Sequence, residues 1–147
     1  MLTHCSPATR SAQVIPITPR DDTTIKIAFG SCYGKPGKSN NIFETIGKDE
    51  PDVWIWLGDA TYIDFDEITE YMSDINSPTA EHAKARFQDT LNAPGYSELM
   101  NSSKIIGVWD DHDMGKNDGG TLFEHKDRNR EIYLDFIGEP ADSERRL

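Results

Sequence analysis

Apolar residues gather in three short runs, and each run ends at glycine or at clustered acids. Residues 24–29 (Thr-Ile-Lys-Ile-Ala-Phe) suit a strand that Gly30 ends, and Tyr33, Gly34, Pro36 and Gly37 mark the next stretch as loop. Residues 53–57 (Val-Trp-Ile-Trp-Leu) and 104–109 (Lys-Ile-Ile-Gly-Val-Trp) are continuous apolar blocks, the pattern of strands covered on both faces. Between them the period changes to that of helices. Asn40 is a candidate N-cap for a short helix with Ile42, Phe43 and Ile46 on one face and Gly47 closing it. Residues 78–91 form the best helix, with Ser77 as N-cap, Pro78 at the first position and Glu81 in the first turn. A short helix is expected near 96–100 after Pro94-Gly95, and an amphipathic one over 123–137 with Ile132, Tyr133, Phe136 and Ile137 on one side.

Strand, helix, strand, helices, strand, helix is the order of an α/β fold with a mostly parallel sheet flanked by helices. In such sheets ligands bind beyond the carboxyl ends of the strands. All three strands end in potential ligands: Cys32 after the first, Asp59 and Tyr62 after the second, and Asp110 to Asp113 after the third.

Composition narrows the classes. A chain of 147 residues fits one domain, here residues 24–147 behind an irregular, proline-containing leader of residues 1–23. The net charge is −11 with scattered basic residues, which argues against a nucleic-acid partner. No run reaches the roughly 20 apolar residues of a membrane span, and the start lacks the apolar core of a secretory signal. A soluble chain is expected, with its compartment undefined. Cys5 and Cys32 are too few for a disulfide framework.

The densest chemistry is Val108-Trp109-Asp110-Asp111-His112-Asp113. Carboxylates this close repel one another unless a cation or hydrogen-bond donors hold them, so a metal site is the simplest reading beside a solvated acidic turn. Asp59 and Tyr62 are near enough to serve one cation on a tight turn, although Tyr62 equally suits a core position. Asp111, Asp113, Asn117 and Asp118 invite comparison with an EF-hand loop. They fail it, because Lys116 or Asp118 stands where glycine is required. Gly30-Ser31-Cys32-Tyr33-Gly34 has the spacing of a nucleophile elbow, but Pro36 and Gly37 delay the helix an elbow needs. Asp64, Asp66, Glu67 and Glu70 read as a solvated helix start.

Together, Phe29-Gly30-Ser31-Cys32, Leu57-Gly58-Asp59-Ala60-Thr61-Tyr62, Trp109-Asp110-Asp111-His112-Asp113 with Gly115 and Asn117-Asp118, and Glu139-Pro140-Ala141-Asp142-Ser143-Glu144-Arg145-Arg146 resemble the PhoD-like alkaline phosphatases and phosphodiesterases among the calcineurin-like metallophosphoesterases. The resemblance spans residues 25–146. It implies a partial metallophosphoesterase α/β sandwich and hydrolysis of phosphate esters at a dinuclear centre of iron and calcium. Cys32 and Tyr62 would bind iron, Asp59 would bridge, Asp111 would bind the second metal with Asn117 as a weaker candidate, and His112 would lie beside the phosphate with Asp113 orienting its ring. Such domains continue past the double arginine with further ligands. The expectation is therefore an N-terminal portion whose partners are a phosphate-ester substrate and a C-terminal half. The alternatives are a noncatalytic metal-binding fragment and a hydrolase with Cys32 as nucleophile.

Overall fold

The computed structural model describes residues 24–34, 41–64 and 78–147. The leader of residues 1–23, the loop over 35–38, the caps assigned to Asn40 and Ser77, and the acids at Asp66, Glu67 and Glu70 lie outside the described residues.

Three strands form one parallel sheet: β1 (Ile27–Gly30), β2 (Val53–Leu57) and β3 (Lys104–Val108), in the order β1-β2-β3. The helices are α1 (Ile42–Lys48), α2 (Ala80–Leu91), α3 (Tyr96–Ser102), α4 (Asp111–Met114) and α5 (Lys126–Ile137), and a 3-10 turn follows at Glu144–Arg146. The α/β class with a parallel sheet and flanking helices agrees with the sequence pattern.

Because strand side chains alternate between faces, Ala28, Trp54, Trp56 and Ile105 point one way and Ile27, Phe29, Ile55, Leu57, Ile106 and Val108 the other. The first set enters the core. Trp54 and Trp56 meet edge to face at 5.3 Å, Phe43 of α1 packs on both, and Tyr96 of α3 and Phe136 of α5 close around Trp56. Trp56 Nε1 donates to the Tyr96 hydroxyl at 2.9 Å, so the largest buried side chain leaves no stranded donor at its indole. Gly107 lets β3 approach this layer: a methyl there would stand 2.6 Å from both Trp56 Cβ and the Tyr133 hydroxyl oxygen.

The second set corrects the expectation of strands covered on both faces. Phe29 is 67% exposed, Val108 57%, Ile27 54% and Leu57 49%. Among the described residues the helices pack on the tryptophan face; on the other face β2 is covered at Val53 and open at Leu57, and β3 is open at Val108.

Helix bounds shift for local reasons. α1 runs through Gly47 to Lys48 instead of closing at the glycine, and the left-handed turn falls at Glu50 (φ 48°). α2 starts at Ala80 because Thr79 is its N-cap, its hydroxyl accepting from His82 N–H at 3.1 Å. α5 starts at Lys126, after turns at Phe123 and Lys126 that bond back to Gly120 and Phe123. β3 ends at Val108, and Trp109 leaves the strand to pack edge to face on Tyr133. No described helix is long and apolar enough to cross a membrane.

Candidate metal centre

The β2–β3 ladder ends at Leu57 and Val108, and both chains turn at once. Gly58 (φ 102°) carries the β2 end into the turn, where an added Cβ would stand 2.7 Å from Asp110 Cβ. That approach requires glycine. The next residue, Asp59, is itself left-handed (φ 51°), as is Cys32 after β1 (φ 55°). The two turns are tied together, Cys32 N–H to Gly58 O at 3.3 Å and Tyr33 N–H to Asp59 O at 2.9 Å. Non-glycine residues held at positive φ carry strain that surrounding contacts must offset, and such positions cluster at functional sites.

After β3, Asp111–Met114 form α4, a single helical turn that the sequence pattern did not predict. Asp110 is its N-cap and makes a capping box with Asp113, and acids in the first turn favour it electrostatically. The turn lifts His112 and Asp111 toward Asp59. These three each bring one ligand atom within 4.8 Å of the others.

Asp59 is 7% exposed and lies at the centre of the group. Its Oδ2 accepts from the Cys32 thiol at 3.6 Å and the Tyr62 hydroxyl at 3.3 Å, while Oδ1 is buried with no partner among the described residues. Burial pushes the Asp59 carboxyl up, Asp110 and Asp111 add repulsion, and His112 and the Cys32 bond pull it back in part. Burial and the adjacent Asp59 and Cys32 likewise push the Tyr62 phenol well above its ordinary range. A buried carboxylate oxygen without a partner, close to a second carboxylate and an imidazole, makes Asp59, Asp111 and His112 a group that could hold a cation.

His112 is held from behind. Its Nδ1 lies 2.9 Å from each oxygen of Asp64, and its ring leans on Tyr62 at 4.3 Å between centroids. Burial works against the protonated ring, but the Asp64 bond and the charges of Asp64, Asp111 and Asp59 outweigh it, so the His112 pKa rises. Asp64, read from sequence as a solvated acid, is 4% exposed. The orienting role assigned to Asp113 therefore falls to Asp64. Asp113 accepts from the backbone N–H groups of Thr61 (3.0 Å) and Asp110 (3.1 Å) instead.

Of the other expected ligands, Cys32 and Tyr62 join the cluster through Asp59. Asn117 is exposed, and its amide donates to Asp118 at 2.9 Å. Asp111 is fixed through that loop, its Oδ2 accepting from Asp118 N–H at 2.6 Å and its Oδ1 from His112 N–H at 3.0 Å. Reasoning from sequence missed Asp64; the available signal was its place five residues past Asp59 in the same turn. The chain matches no protein-family model, no curated protein and no solved structure.

Proposed function

We propose that this chain belongs to a metal-dependent phosphate-ester hydrolase of the PhoD-like type, acting on monoesters or diesters. The observation that carries the reading is the buried, unpartnered Oδ1 of Asp59 set among Asp111 and His112. The donor set suits the metals that the family resemblance implies. A thiol, a phenol and a carboxylate from Cys32, Tyr62 and Asp59 favour iron, and the oxygens of Asp59 and Asp111 suit calcium. Bound there, such ions neutralise phosphoryl oxygens and lower the pKa of coordinated water.

The chain's own groups supply the rest. A carboxylate on Nδ1 selects the His112 tautomer with its proton on that nitrogen, leaving Nε2 as the atom that exchanges a proton. With its pKa raised, the ring holds a proton at neutral pH more readily than a free imidazole. It can then stabilise charge on a departing alkoxide or protonate it. Cys32, Asp59 and Asp111 reach the site from three strand ends, and the two carboxylates bring negative charge to one point.

A second reading has one observation in its favour. Cys32 sits at positive φ, as a nucleophile on a strained turn does. Its Sγ, however, pairs with Asp59 rather than an imidazole. Purified protein supplied with iron and calcium and given an aryl phosphate separates the readings. Turnover that disappears in His112→Ala supports the phosphoesterase, and metal uptake without turnover points to a noncatalytic metal-binding fragment. Ester hydrolysis that survives chelation and dies in Cys32→Ala makes it a thiol hydrolase.

A further inference from the structure

The β2–β3 ladder fixes the two strands only as far as Leu57 and Val108. The groups that meet at the candidate centre lie beyond it, Asp59 and Tyr62 on one turn and Asp111 and His112 on the other. Something past the ladder must hold these turns at a constant separation, because a shift of an ångström would open the 4.8 Å cluster.

Asp113 is placed to do this. It is 1% exposed, and its two oxygens are divided between the turns: Oδ1 accepts from Thr61 N–H at 3.0 Å, Oδ2 from Asp110 N–H at 3.1 Å. Thr61 lies between Asp59 and Tyr62, and Asp110 immediately precedes Asp111. A second tie runs alongside, Ile63 N–H to His112 O at 3.2 Å. Gly58 brings the two backbones close enough for both bonds to form. Only a carboxylate offers acceptors on both arms; an asparagine would turn an N–H₂ toward one of the two donors.

We infer that Asp113 is a positioning residue that spans the β2 and β3 turns and sets the spacing of the metal-binding carboxylates. This inference rests on the metal reading of the site. Its geometric part, the bridge itself, stands without a metal. Asp113 touches neither the His112 ring nor the cluster's ligand oxygens through any of these bonds, so its effect passes through backbone.

The test compares wild type with Asp113→Asn and with Asp110→Asn, which removes the same charge beside the site but keeps a good cap and the backbone donor. Two quantities are measured: Co²⁺ affinity by equilibrium dialysis, and amide hydrogen exchange at Thr61. Asp113→Asn should weaken Co²⁺ binding by about 10- to 100-fold, the usual effect of losing a partner behind the ligands. Thr61 exchange should quicken at least about tenfold as its bond is lost. Asp110→Asn should stay within about threefold of wild type in affinity. Equal losses in the two variants would assign the effect to charge and overturn the inference, as would Co²⁺ affinity unchanged in Asp113→Asn. Wild type that takes up no Co²⁺ would refute the metal reading, while Thr61 exchange still decides the bridge. If Asp113→Asn does not fold, a Thr61 amide that exchanges in wild type as fast as an open loop overturns it.

Discussion

Both carboxylate oxygens of Asp64 lie 2.9 Å from Nδ1 of His112, joining residues 48 apart in sequence. The pair is buried on both sides, and the ring is clamped between Asp64 and the face of Tyr62. Asp64→Asn keeps the shape but removes the charge that favours imidazolium. The His112 pKa should fall, measured by the shift of its ring protons with pH. Under the proposed activity, turnover should drop about 100-fold, at the low end of what a positioned proton donor contributes. An unchanged His112 titration would refute the coupling.

The metal-free protein should be more stable near pH 6 than near pH 8. His112 has its pKa raised in the folded state, so its contribution is complete below about 6.5 and is lost as pH rises through the higher folded value. Thermal melts across this range should show Tm falling as pH rises. A bound divalent cation favours the ionised carboxylates and should reverse the slope. Melts that rise with pH in the metal-free protein would contradict this account.

Ferric ion added to the protein should produce a visible absorption band from phenolate coordination by Tyr62. The phenol donates to Asp59 at 3.3 Å and resists ionisation on its own, so the metal must displace its proton. Tyr62→Phe should abolish the band with little change in fold. A band of equal strength in that variant would exclude Tyr62 as a ligand.

The C-terminal turn should matter for stability. Arg145 donates to Glu139 at 2.9 Å and to Gly107 O at 2.8 Å, and it lies 5.9 Å over the Trp109 ring, pinning the 3-10 turn to the end of β3. Arg145→Ala should cost about 2 kcal/mol in urea unfolding, because it removes the donor to the Gly107 carbonyl and leaves Glu139 with the Ser143 hydroxyl alone. Gly107→Ala should cost about 1–3 kcal/mol by forcing a methyl against Trp56 and Tyr133. A variant at either position as stable as wild type would show that the contact is dispensable.

The strands were legible because Val53–Leu57 and Lys104–Val108 are apolar blocks bounded by turn residues, and their parallel pairing follows from the helices between them. Which face is covered was not legible. An uninterrupted apolar run looks the same whether one side or both is buried, and only tertiary contact separates Trp56 from Leu57. At the site, Cys32, Asp59, Tyr62, Asp111 and His112 were readable as strand-end chemistry. Asp64 was hidden because it stood near other acids, and its partner lies 48 residues away. Asp113 was recognised as important but misassigned, since adjacency to His112 in sequence says nothing about which donors its oxygens meet. The helical turn over Asp111–Met114 was missed because a four-residue element has no measurable period.

The bare side of the sheet gives the molecule an uneven relation to salt. Its outward strand positions carry Ile27, Phe29, Val53, Ile55, Leu57, Ile106 and Val108, one base, Lys104, and no acid, while the chain as a whole bears −11. Mutual repulsion from that charge opposes contact between two copies through this side. Shortening the reach of that repulsion from about 10 Å at 0.1 M to about 3 Å at 1 M salt weakens that opposition. Light scattering should therefore increase with sodium chloride and on acidification toward the isoelectric point near 4.6. Most protein assemblies held by charge dissolve under added salt; this chain should be kept apart by charge and brought together by salt.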